Sequence, residues 1–449
     1  MHRWSRCTFT IGAAAALLVG CGSASQPPIP APLGDTQLQA LLSSRVVDGA
    51  ARYSLIYAFR PRDGESPQTL AYHNGDIFGS TVLGGNTSCS CGVVFKLSPA
   101  GEHYEYTRLH AFTGGSNDGA DPTSLIATSS GSLYGTTAEG GGTGCTYSGY
   151  AGCGTIFKLT PTGSKYTYSI LYRFKGSDDG YSPDLARGQK ITDTGPILGT
   201  ASGGASKTCG CGFLFKLVRS GDEYTKHVLW SFGRNPGEEG VDAPIAVDGA
   251  MYGIAYGNFG AYTYAYRFDS GHFTMLLKFR ESDAKKDGRG QRLTASDAAG
   301  NLYGAALGGI NRCFIGTRRT SCGLVFELVA AGDKYTERVL HRFSPGNDGW
   351  SPSVSAYDNG VLYGTTGLGG TACDGNSDGC GVVFALSTGT GKETVLYRFK
   401  GGVRGACPCS NLLKSPSESE LYGATTLGGH QAGAVFHLLF KATGAINAI

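Results

Sequence analysis

The sequence predicts an all-β protein, a seven-bladed β-propeller with four strands in each blade. Three observations predict this fold: a Tyr-Gly phrase recurs along the chain, an apolar strand follows each copy, and a run ending in Phe follows most of those strands. The Gly of the phrase stands at positions 79, 135, 199, 253, 304, 364 and 423. A repeat of this length is typical of propeller blades.

Each repeat contains four strand-like runs, A to D. Strand A follows a Ser-Pro turn, B carries the phrase LYGTT, C is an apolar run such as CGTIFKL (153–159), and D ends in Phe, as in LYRF (171–174). The runs are short, rich in β-branched and aromatic residues, and bounded by Gly, Asp, Asn and Pro. We expect short A–B and C–D links on one face of the ring, and long B–C and D–A loops on the other.

The strand count predicts how the ring closes. The last repeat (408–441) has runs A, B and C but no D, whereas a D-like strand, YSLIYAF (53–59), precedes the first repeat. We expect this N-terminal strand to pair into the last blade, because closure removes exposed sheet edges. The predicted divisions are a signal peptide (1–20), an anchor with a Pro-rich spacer (21–52), the propeller (53–441) and a tail (442–449).

The N-terminal segment predicts export. Arg3 and Arg6 precede an apolar stretch (9–20) that is too short to span a bilayer. The run ending at Cys21 resembles a bacterial lipobox, which implies lipidation of Cys21; an ordinary secretory signal is the alternative. The expected location is the cell envelope, as an outer-membrane-anchored lipoprotein facing the periplasm or the surface.

Composition excludes some partners. The chain has 449 residues, a formal net charge of +3 and 41% hydrophobic residues, so it can bury a large core. This small charge does not indicate nucleic acid or an anionic membrane surface as a bulk partner. We expect a monomer without a cofactor or metal, attached to a membrane through its lipid.

The cysteines predict disulfides. Apart from Cys7 and Cys21, twelve cysteines form six local pairs, and an even number at short spacing in an exported chain favours disulfide bonds. Zinc is the weaker alternative, because no pair has a second pair at ligand spacing. The expected pairs are Cys89–Cys91, Cys145–Cys153, Cys209–Cys211, Cys313–Cys322, Cys373–Cys380 and Cys407–Cys409.

The phrases LYGTTAEGG, CGTIFKL and ILYRFKGSDDGYSP resemble the GloVer tandem-repeat family of exported bacterial proteins. The resemblance covers roughly 53–441 and implies a propeller-like repeat and an envelope location. It implies no activity and no catalytic residues. The fourth repeat departs from the pattern because it is short and lacks cysteines, and the B–C loop of the seventh also lacks them.

The long-loop face and the mouth of the central channel are the predicted functional region, because function on rigid scaffolds gathers on long loops. Arg318 and Arg319 lie between two cysteines and suit an anionic ligand. Trp350 and Tyr181 follow Asp-Gly turns, where an exposed aromatic ring could stack on a sugar. The alternatives are a solvated loop for the arginines and a turn-covering role for the aromatics.

The sequence leaves two functions open. The first is a binding or scaffold propeller that presents its long-loop face to a glycan or protein. The second is a polysaccharide-active enzyme, a lyase or hydrolase, that uses the same face. No catalytic residue is identifiable from the sequence, which favours the binding module. Two carboxyl groups with unequal properties at the channel mouth would favour the enzyme.

Overall fold

The computed structural model describes residues 46–48, 51–85, 88–142, 144–147, 150–204, 211–233, 239–257, 262–279, 289–308, 311–315, 318–332, 334–373, 378–415 and 420–440. Within these ranges the chain forms seven antiparallel blade sheets with strand order A-B-C-D. The helical elements in the same ranges are two short 3₁₀ turns, Ser177–Asp179 and Gly402–Arg404. The predicted all-β, seven-bladed propeller is confirmed.

The strands of blades 1 to 3 have regular lengths. Blade 1 contains Glu65–His73, Asp76–Leu83, Val93–Ala100 and His103–Ala111. Blade 2 contains Gly119–Ala127, Leu133–Gly140, Thr155–Thr162 and Lys165–Arg173. Blade 3 contains Tyr181–Leu185, Ile197–Ser202, Phe213–Ser220 and Glu223–Ser231.

Blades 4 to 6 continue the pattern with one interruption. In blade 4, strand A is split into Glu239–Val241 and Ile245–Val247, followed by Ala250–Gly257, Tyr262–Asp269 and His272–Phe279. Blade 5 contains Arg289–Ser296, Leu302–Leu307, Leu324–Ala331 and Lys334–Arg342. Blade 6 contains Trp350–Asp358, Val361–Leu368, Val382–Ser387 and Glu393–Arg398.

Blade 7 joins the two ends of the chain. Leu413–Lys414, Glu420–Thr425 and Ala434–Phe440 supply strands A to C, and Ala51–Ala58 supplies strand D, with Val46–Asp48 paired outside it. Strand D pairs antiparallel with strand C, so that Leu55 lies opposite Phe436. The buried Tyr53 ring stacks on Tyr397 at 4.4 Å, and its hydroxyl donates to the carbonyl of Arg404 at 2.7 Å. The predicted closure is confirmed.

The Gly of the recurring phrase makes room inside each blade. A Cβ on Gly135 would lie 2.6 Å from the carbonyl oxygen of Ser124 and would also collide with the ring of Phe157 in strand C. Side chains cannot approach this closely, so Gly at this position lets a buried Phe cross the sheet face. The same Gly–Phe contact recurs at 79/95, 199/215, 304/326, 364/384 and 423/436.

A second recurring contact, which we call the seam, joins neighbouring blades. The backbone N–H of Ser182 in blade 3 donates to the carbonyl of Cys153 in blade 2 at 2.9 Å. Ser182 has φ 48°, and the next residue, Pro183, lies over Gly154, where a Cβ would be 2.7 Å from the Pro Cδ. Equivalent hydrogen bonds run from Ser66 to Ala432, Asp121 to Cys91, Ser351 to Cys322 and Cys407 to Cys380.

Blades 3 and 4 meet differently. The A–B link of blade 3 runs from residue 186 to 196, so the expectation that these links are all short is wrong. The N–H of Arg187 in this link donates to the carbonyl of Pro244, and the N–H of Ala246 donates back to Arg187, which forms a parallel bridge between blades. The longer link therefore extends hydrogen bonding across the inner edge of the ring.

Removing residues 1–60 should open the ring, because strand C of blade 7 would lose its outer partner. We expect aggregation or a large fall in melting temperature, measured by thermal unfolding with size-exclusion chromatography. Removing only residues 1–45 is the control and should leave the melting temperature near that of the parent. A 1–60 deletion that melts like the full chain would contradict the closure mechanism.

Gly154→Ala tests the seam. Both Gly154 (φ 98°) and the control Gly163 (φ 63°) have positive φ, but the structure shows nothing within 4 Å of a Cβ on Gly163. Backbone strain alone should cost Gly163→Ala about 1 kcal/mol, whereas overpacking against Pro183 and the carbonyl oxygen of Thr137 should raise the cost of Gly154→Ala to about 3 kcal/mol. Equal losses in denaturant unfolding would show that close packing around Gly154 contributes nothing.

Candidate functional site

Strand A of each blade lies at the inner edge of the ring. Side chains and backbone there connect successive blades: the hydroxyl of Thr69 donates to the carbonyl of Thr123 at 3.2 Å, and the hydroxyl of Thr123 donates to the carbonyl of Pro183 at 3.1 Å. The side-chain amide of Asn411 in blade 7 donates to the carbonyl of Leu70 at 3.0 Å. Strand A therefore lies around the centre of the ring, and its first residues, which follow the D–A loops, lie toward the long-loop face.

A polar pocket lies at the channel mouth between blades 2, 3 and 4. It has a volume of about 60 Å³. Ser182 is the second residue of strand A and Ser202 ends strand B of blade 3, so the pocket is on the side of the D–A and B–C loops. Its lining consists of Thr123, Ser182, Pro183, Asp184, Thr200, Ser202, Asp242 and Ala243. This chemistry suits a ligand with hydroxyl groups.

Four charged side chains form a cluster at the pocket. The Arg292 guanidinium donates to both oxygens of Asp242, at 2.5 and 3.0 Å. Arg187 donates to the carbonyl of Ala243 at 3.0 Å, and another of its nitrogens lies 3.9 Å from Asp184. Asp242 is thus fixed by a bidentate pair, whereas Asp184 is held only loosely. The charges balance, so the cluster does not select a ligand by net charge.

The two carboxyl groups differ in acidity. Burial raises the pKa of Asp184, and the neighbouring Asp242 raises it further, against the attraction of Arg187 and Arg292. Burial would also raise the pKa of Asp242, but the charges of Arg292 and Arg187 and the hydrogen bonds from Arg292 outweigh it and lower the pKa. Asp242 therefore stays ionised, and Asp184 takes up a proton more readily.

The sequence carries a signal for this site that lies in a strand and not in the long loops. Asp184 comes directly after the Ser-Pro pair of strand A in blade 3. At the equivalent position, after a Ser-Pro or Asp-Pro pair, blades 1, 2 and 6 have Gln68, Thr123 and Ser353. A charged residue here breaks the repeat. Asp242 and Arg292 come from blades 4 and 5, so their proximity becomes visible only in the folded ring.

The two predicted aromatic residues cover their own turns. Trp350 is only 4% exposed and packs in a hydrophobic cluster with Leu368, so its proposed role in stacking on a sugar is wrong. Tyr181 is half-buried and lies over Gly203, where a Cβ would be 2.6 Å from its ring. Bulky rings at this position fill the space above a glycine rather than face a ligand.

The predicted arginines lie on a hairpin. Strands Arg312–Ile315 and Arg318–Ser321 pair so that Ile315 is opposite Arg318 and Phe314 is opposite Arg319. The ring of Phe314 is 53% exposed, and Arg312 donates to the hydroxyl of Ser321 at 3.2 Å. The side chains of Arg318 and Arg319 lie outside what the structure describes, so their role in binding remains a prediction.

The structure brings five of the predicted cysteine pairs together as disulfides. Their Cα–Cα distances are 5.2 Å for Cys89–Cys91, 5.0 Å for Cys145–Cys153, 5.1 Å for Cys313–Cys322, 5.9 Å for Cys373–Cys380 and 5.5 Å for Cys407–Cys409. Cys211 is also disulfide-bonded, but its predicted partner Cys209 lies outside the described residues. Each of these five bonds closes a loop on the long-loop face.

The predicted lipidation site, Cys21, also lies outside the described residues. Among the helical elements that are described, none has the length and hydrophobicity required to cross a bilayer. Within the same part of the chain, no group of three or more His, Cys, Asp or Glu side chains is arranged to hold a metal ion.

The comparison with protein families identifies the repeat. Residues 242–447 match the Gloeobacter/Verrucomicrobia repeat. This part of the chain, somewhat less than half of it, is similar to that repeat family. The resemblance predicted from the LYGTT and Cys-Gly phrases is therefore confirmed, and the matched residues run from blade 4 to the end of blade 7. No curated protein matches the chain.

Several solved structures are similar to the chain at low sequence identity. Pseudomonas fluorescens PhoX in complex with vanadate has 10% identity and a TM-score of 0.46, covering 90% of this chain and 98% of its own. A Xanthomonas campestris gluconolactonase has 13% identity and a TM-score of 0.41, covering 94% and 99%. Saccharomyces cerevisiae Sqt1 has 10% identity and a TM-score of 0.40, covering 86% and 99%.

Proposed function

We propose that the protein is a binding module of the cell envelope that uses the channel-mouth pocket to hold a hydroxyl-bearing ligand, with a glycan as the first candidate and a protein as the second. The proposal rests on the position and surroundings of Asp184. Asp184 is a charged residue that breaks the repeat, it lines a polar pocket, and Arg187 stays 3.9 Å from its carboxyl group. Its oxygens can therefore accept hydrogen bonds from a ligand.

The size of the pocket limits what enters it. A cavity of about 60 Å³ has room for roughly four water-sized groups. It suits a hydroxymethyl group or one edge of a sugar ring, while the rest of the ligand lies on the long-loop face. The hydroxyl groups of Ser182, Thr200 and Ser202 add donors and acceptors around Asp184. Sugar recognition needs several such groups together.

Envelope attachment is part of the same proposal. The lipobox-like run that ends at Cys21 and the Pro-rich spacer after it support a lipid-anchored propeller held away from the membrane. Cys21→Ser should release the protein from the membrane fraction or stall its processing, because acyl chains supply the anchor. Membrane fractionation and immunoblotting measure this. A mutant that sediments with membranes like the parent would refute lipidation at Cys21.

The binding experiment uses Asp184→Asn. Screening the purified protein on a glycan array identifies a ligand, and calorimetry then gives its affinity. Loss of a hydrogen bond to a charged group should weaken binding about tenfold or more. Burial raises the pKa of Asp184, so binding to its ionised form should weaken as acidification protonates it. Asp222→Asn is the matched control, since Asp222 is exposed and forms an ion pair with Arg219.

The control and a second variant show whether the ligand binds in the pocket or on the arginine hairpin. Asp222→Asn should leave affinity and melting temperature unchanged. Arg318→Ala combined with Arg319→Ala tests the hairpin as an alternative site. If this double variant loses binding while Asp184→Asn binds normally, the ligand lies on the hairpin and the pocket proposal is wrong.

A polysaccharide-active lyase or hydrolase is the second candidate, favoured by the unequal acidity of Asp184 and Asp242. Unequal carboxyl groups are what general acid–base chemistry requires. The same protein samples, incubated with polysaccharides, distinguish the two functions. Product that accumulates with the parent and disappears in both Asp184→Asn and Asp242→Asn would establish an enzyme, whereas binding without product would establish the binding module.

A further inference from the structure

A disulfide bond precedes strand A of blade 7. Cys407 and Cys409 flank Pro408, and their Cα atoms are 5.5 Å apart. In blade 3 the equivalent Pro is flanked by Ser182 and Asp184, which line the pocket at the channel mouth. Blades 1, 2 and 6 also have Ser or Asp before this Pro and no cysteine after it. The pair therefore breaks the repeat at positions that face the channel mouth.

Backbone hydrogen bonds hold this segment independently of the disulfide. The N–H of Cys407 donates to the carbonyl of Cys380 in blade 6 at 3.0 Å. The carbonyl of Cys407 accepts the N–H of Thr426 at 3.0 Å and the N–H of Cys409 at 2.8 Å. A disulfide that encloses one residue removes less entropy from the unfolded chain than one that closes a longer loop. The bond therefore adds little restraint, and its two sulfur atoms stay close together when it opens.

The two cysteines of this pair differ in their exposure to solvent. Cys407 is 2% exposed, whereas Cys409 is half-buried. The longer disulfide of blade 6, Cys373–Cys380, is buried at both ends, with 5% exposure each. A thiol that approaches the Cys407–Cys409 pair therefore reaches Cys409 first, and Cys407 is the group that leaves.

Gly367, in strand B of blade 6, leaves space beside Cys409. A Cβ placed on Gly367 would lie 3.7 Å from the Sγ of Cys409, and no other described residue beyond its chain neighbours would come within 4 Å of it. The φ of Gly367 is not positive, so the backbone does not require a glycine here. Every other blade has a side chain at the equivalent position: Val82, Ala138, Ser202, Tyr256, Leu307 and Thr426. The missing side chain therefore leaves the Cys409 sulfur open on this side.

We propose that the Cys407–Cys409 pair is a thiol–disulfide exchange site that oxidises a dithiol substrate. A thiolate of the substrate attacks the Sγ of Cys409, the disulfide bond breaks, and Cys407 leaves as a thiolate that takes up a proton. The second thiolate of the substrate then attacks the substrate sulfur bound to Cys409. The substrate leaves as a disulfide, and Cys409 takes up a second proton. Two electrons and two protons pass to the pair, and the disulfide of oxidised glutathione restores it by the reverse exchange.

A second disulfide of the same size serves as an internal reference. Cys89 and Cys91 also enclose one residue, and Cys89 is half-buried like Cys409. The pair lies in the B–C loop of blade 1, and the Cys89 sulfur lies 3.5 Å from the carbonyl oxygen of Phe112. Ring size alone predicts equal reactivity for the two pairs. The open space beside Gly367 instead predicts faster exchange at Cys409.

Timed reduction of the full chain without denaturant tests the proposal. The protein is incubated with dithiothreitol, free thiols are alkylated, and peptide mapping gives the reduced fraction of each pair. Cys407–Cys409 should open at least about tenfold faster than Cys89–Cys91, because access to the sulfur controls the exchange rate. Gly367→Val, which supplies the side chain found at position 82, should slow the opening of Cys407–Cys409 about tenfold. It should leave the Cys89–Cys91 rate and the melting temperature unchanged.

Two single variants identify the sulfur that is attacked. Cys407→Ser leaves Cys409 as a free thiol, which should form a mixed disulfide with oxidised glutathione, located by peptide mapping. Cys409→Ser leaves the buried Cys407, which should react at least about tenfold more slowly. Faster reaction of Cys407 than of Cys409 would contradict the assigned order of attack.

The source of the dithiol is tested with two probes. The parent protein is mixed with dithiothreitol or with reduced, unfolded ribonuclease A, and the loss of substrate thiols is measured. Oxidation of both probes would assign the site to dithiols that include those of polypeptides, and oxidation of dithiothreitol alone would assign it to small dithiols. The double variant Cys407→Ser, Cys409→Ser should oxidise neither probe faster than air does.

Three results would overturn the proposal: equal opening rates for the two Cys-x-Cys pairs, a Gly367→Val variant that opens as fast as the parent, or a Cys407–Cys409 bond that opens only when the protein unfolds. Each would make the bond a structural restraint. Asp184→Asn should exchange like the parent, because its pocket lies between blades 2, 3 and 4. The outcome is therefore independent of glycan binding.

Discussion

One backbone hydrogen bond, the seam, connects most neighbouring blades, and it sets strict conditions on the sequence. The donor residue has a left-handed backbone, as Ser182 does, which orients its N–H toward the previous blade. The Pro that follows fixes the next turn, and a Gly must immediately precede the partner strand so that the Pro ring can lie on it. The recurring Cys-Gly and Ser-Pro phrases are the two halves of this contact.

The disulfides brace the same contact. Cys91, Cys153, Cys322 and Cys380 each supply the carbonyl oxygen that accepts a seam hydrogen bond, and each is also bonded to a cysteine in its own B–C loop. The covalent bond holds the loop, and the loop holds the carbonyl in position. At the closing seam Ala432 supplies the carbonyl without a disulfide. There the N-terminal strand takes over the restraint by pairing with strand C.

The repeat and its closure could be predicted because they depend on periodic residues and on a count of strands. The seam and the channel-mouth cluster could not, since each joins residues from different blades and becomes visible only once the blades are adjacent. Asp184 and Arg292 illustrate the difficulty: each looks like an isolated charge in its own strand. Trp350 is the opposite case, because an aromatic beside a turn is expected to be exposed, whereas this ring is buried over the glycine beneath it.

Ring closure also has a kinetic consequence. Strand Ala51–Ala58 is among the first described segments of the chain, and its partner Ala434–Phe440 is the last. Bringing such distant segments together carries a loop entropy that shorter-range pairings within one blade avoid, so it is expected late in folding. Until then, the edges of blade 7 stay open to other strands. If the chain is exported as proposed, the propeller can close only after its C-terminal strand has crossed the membrane.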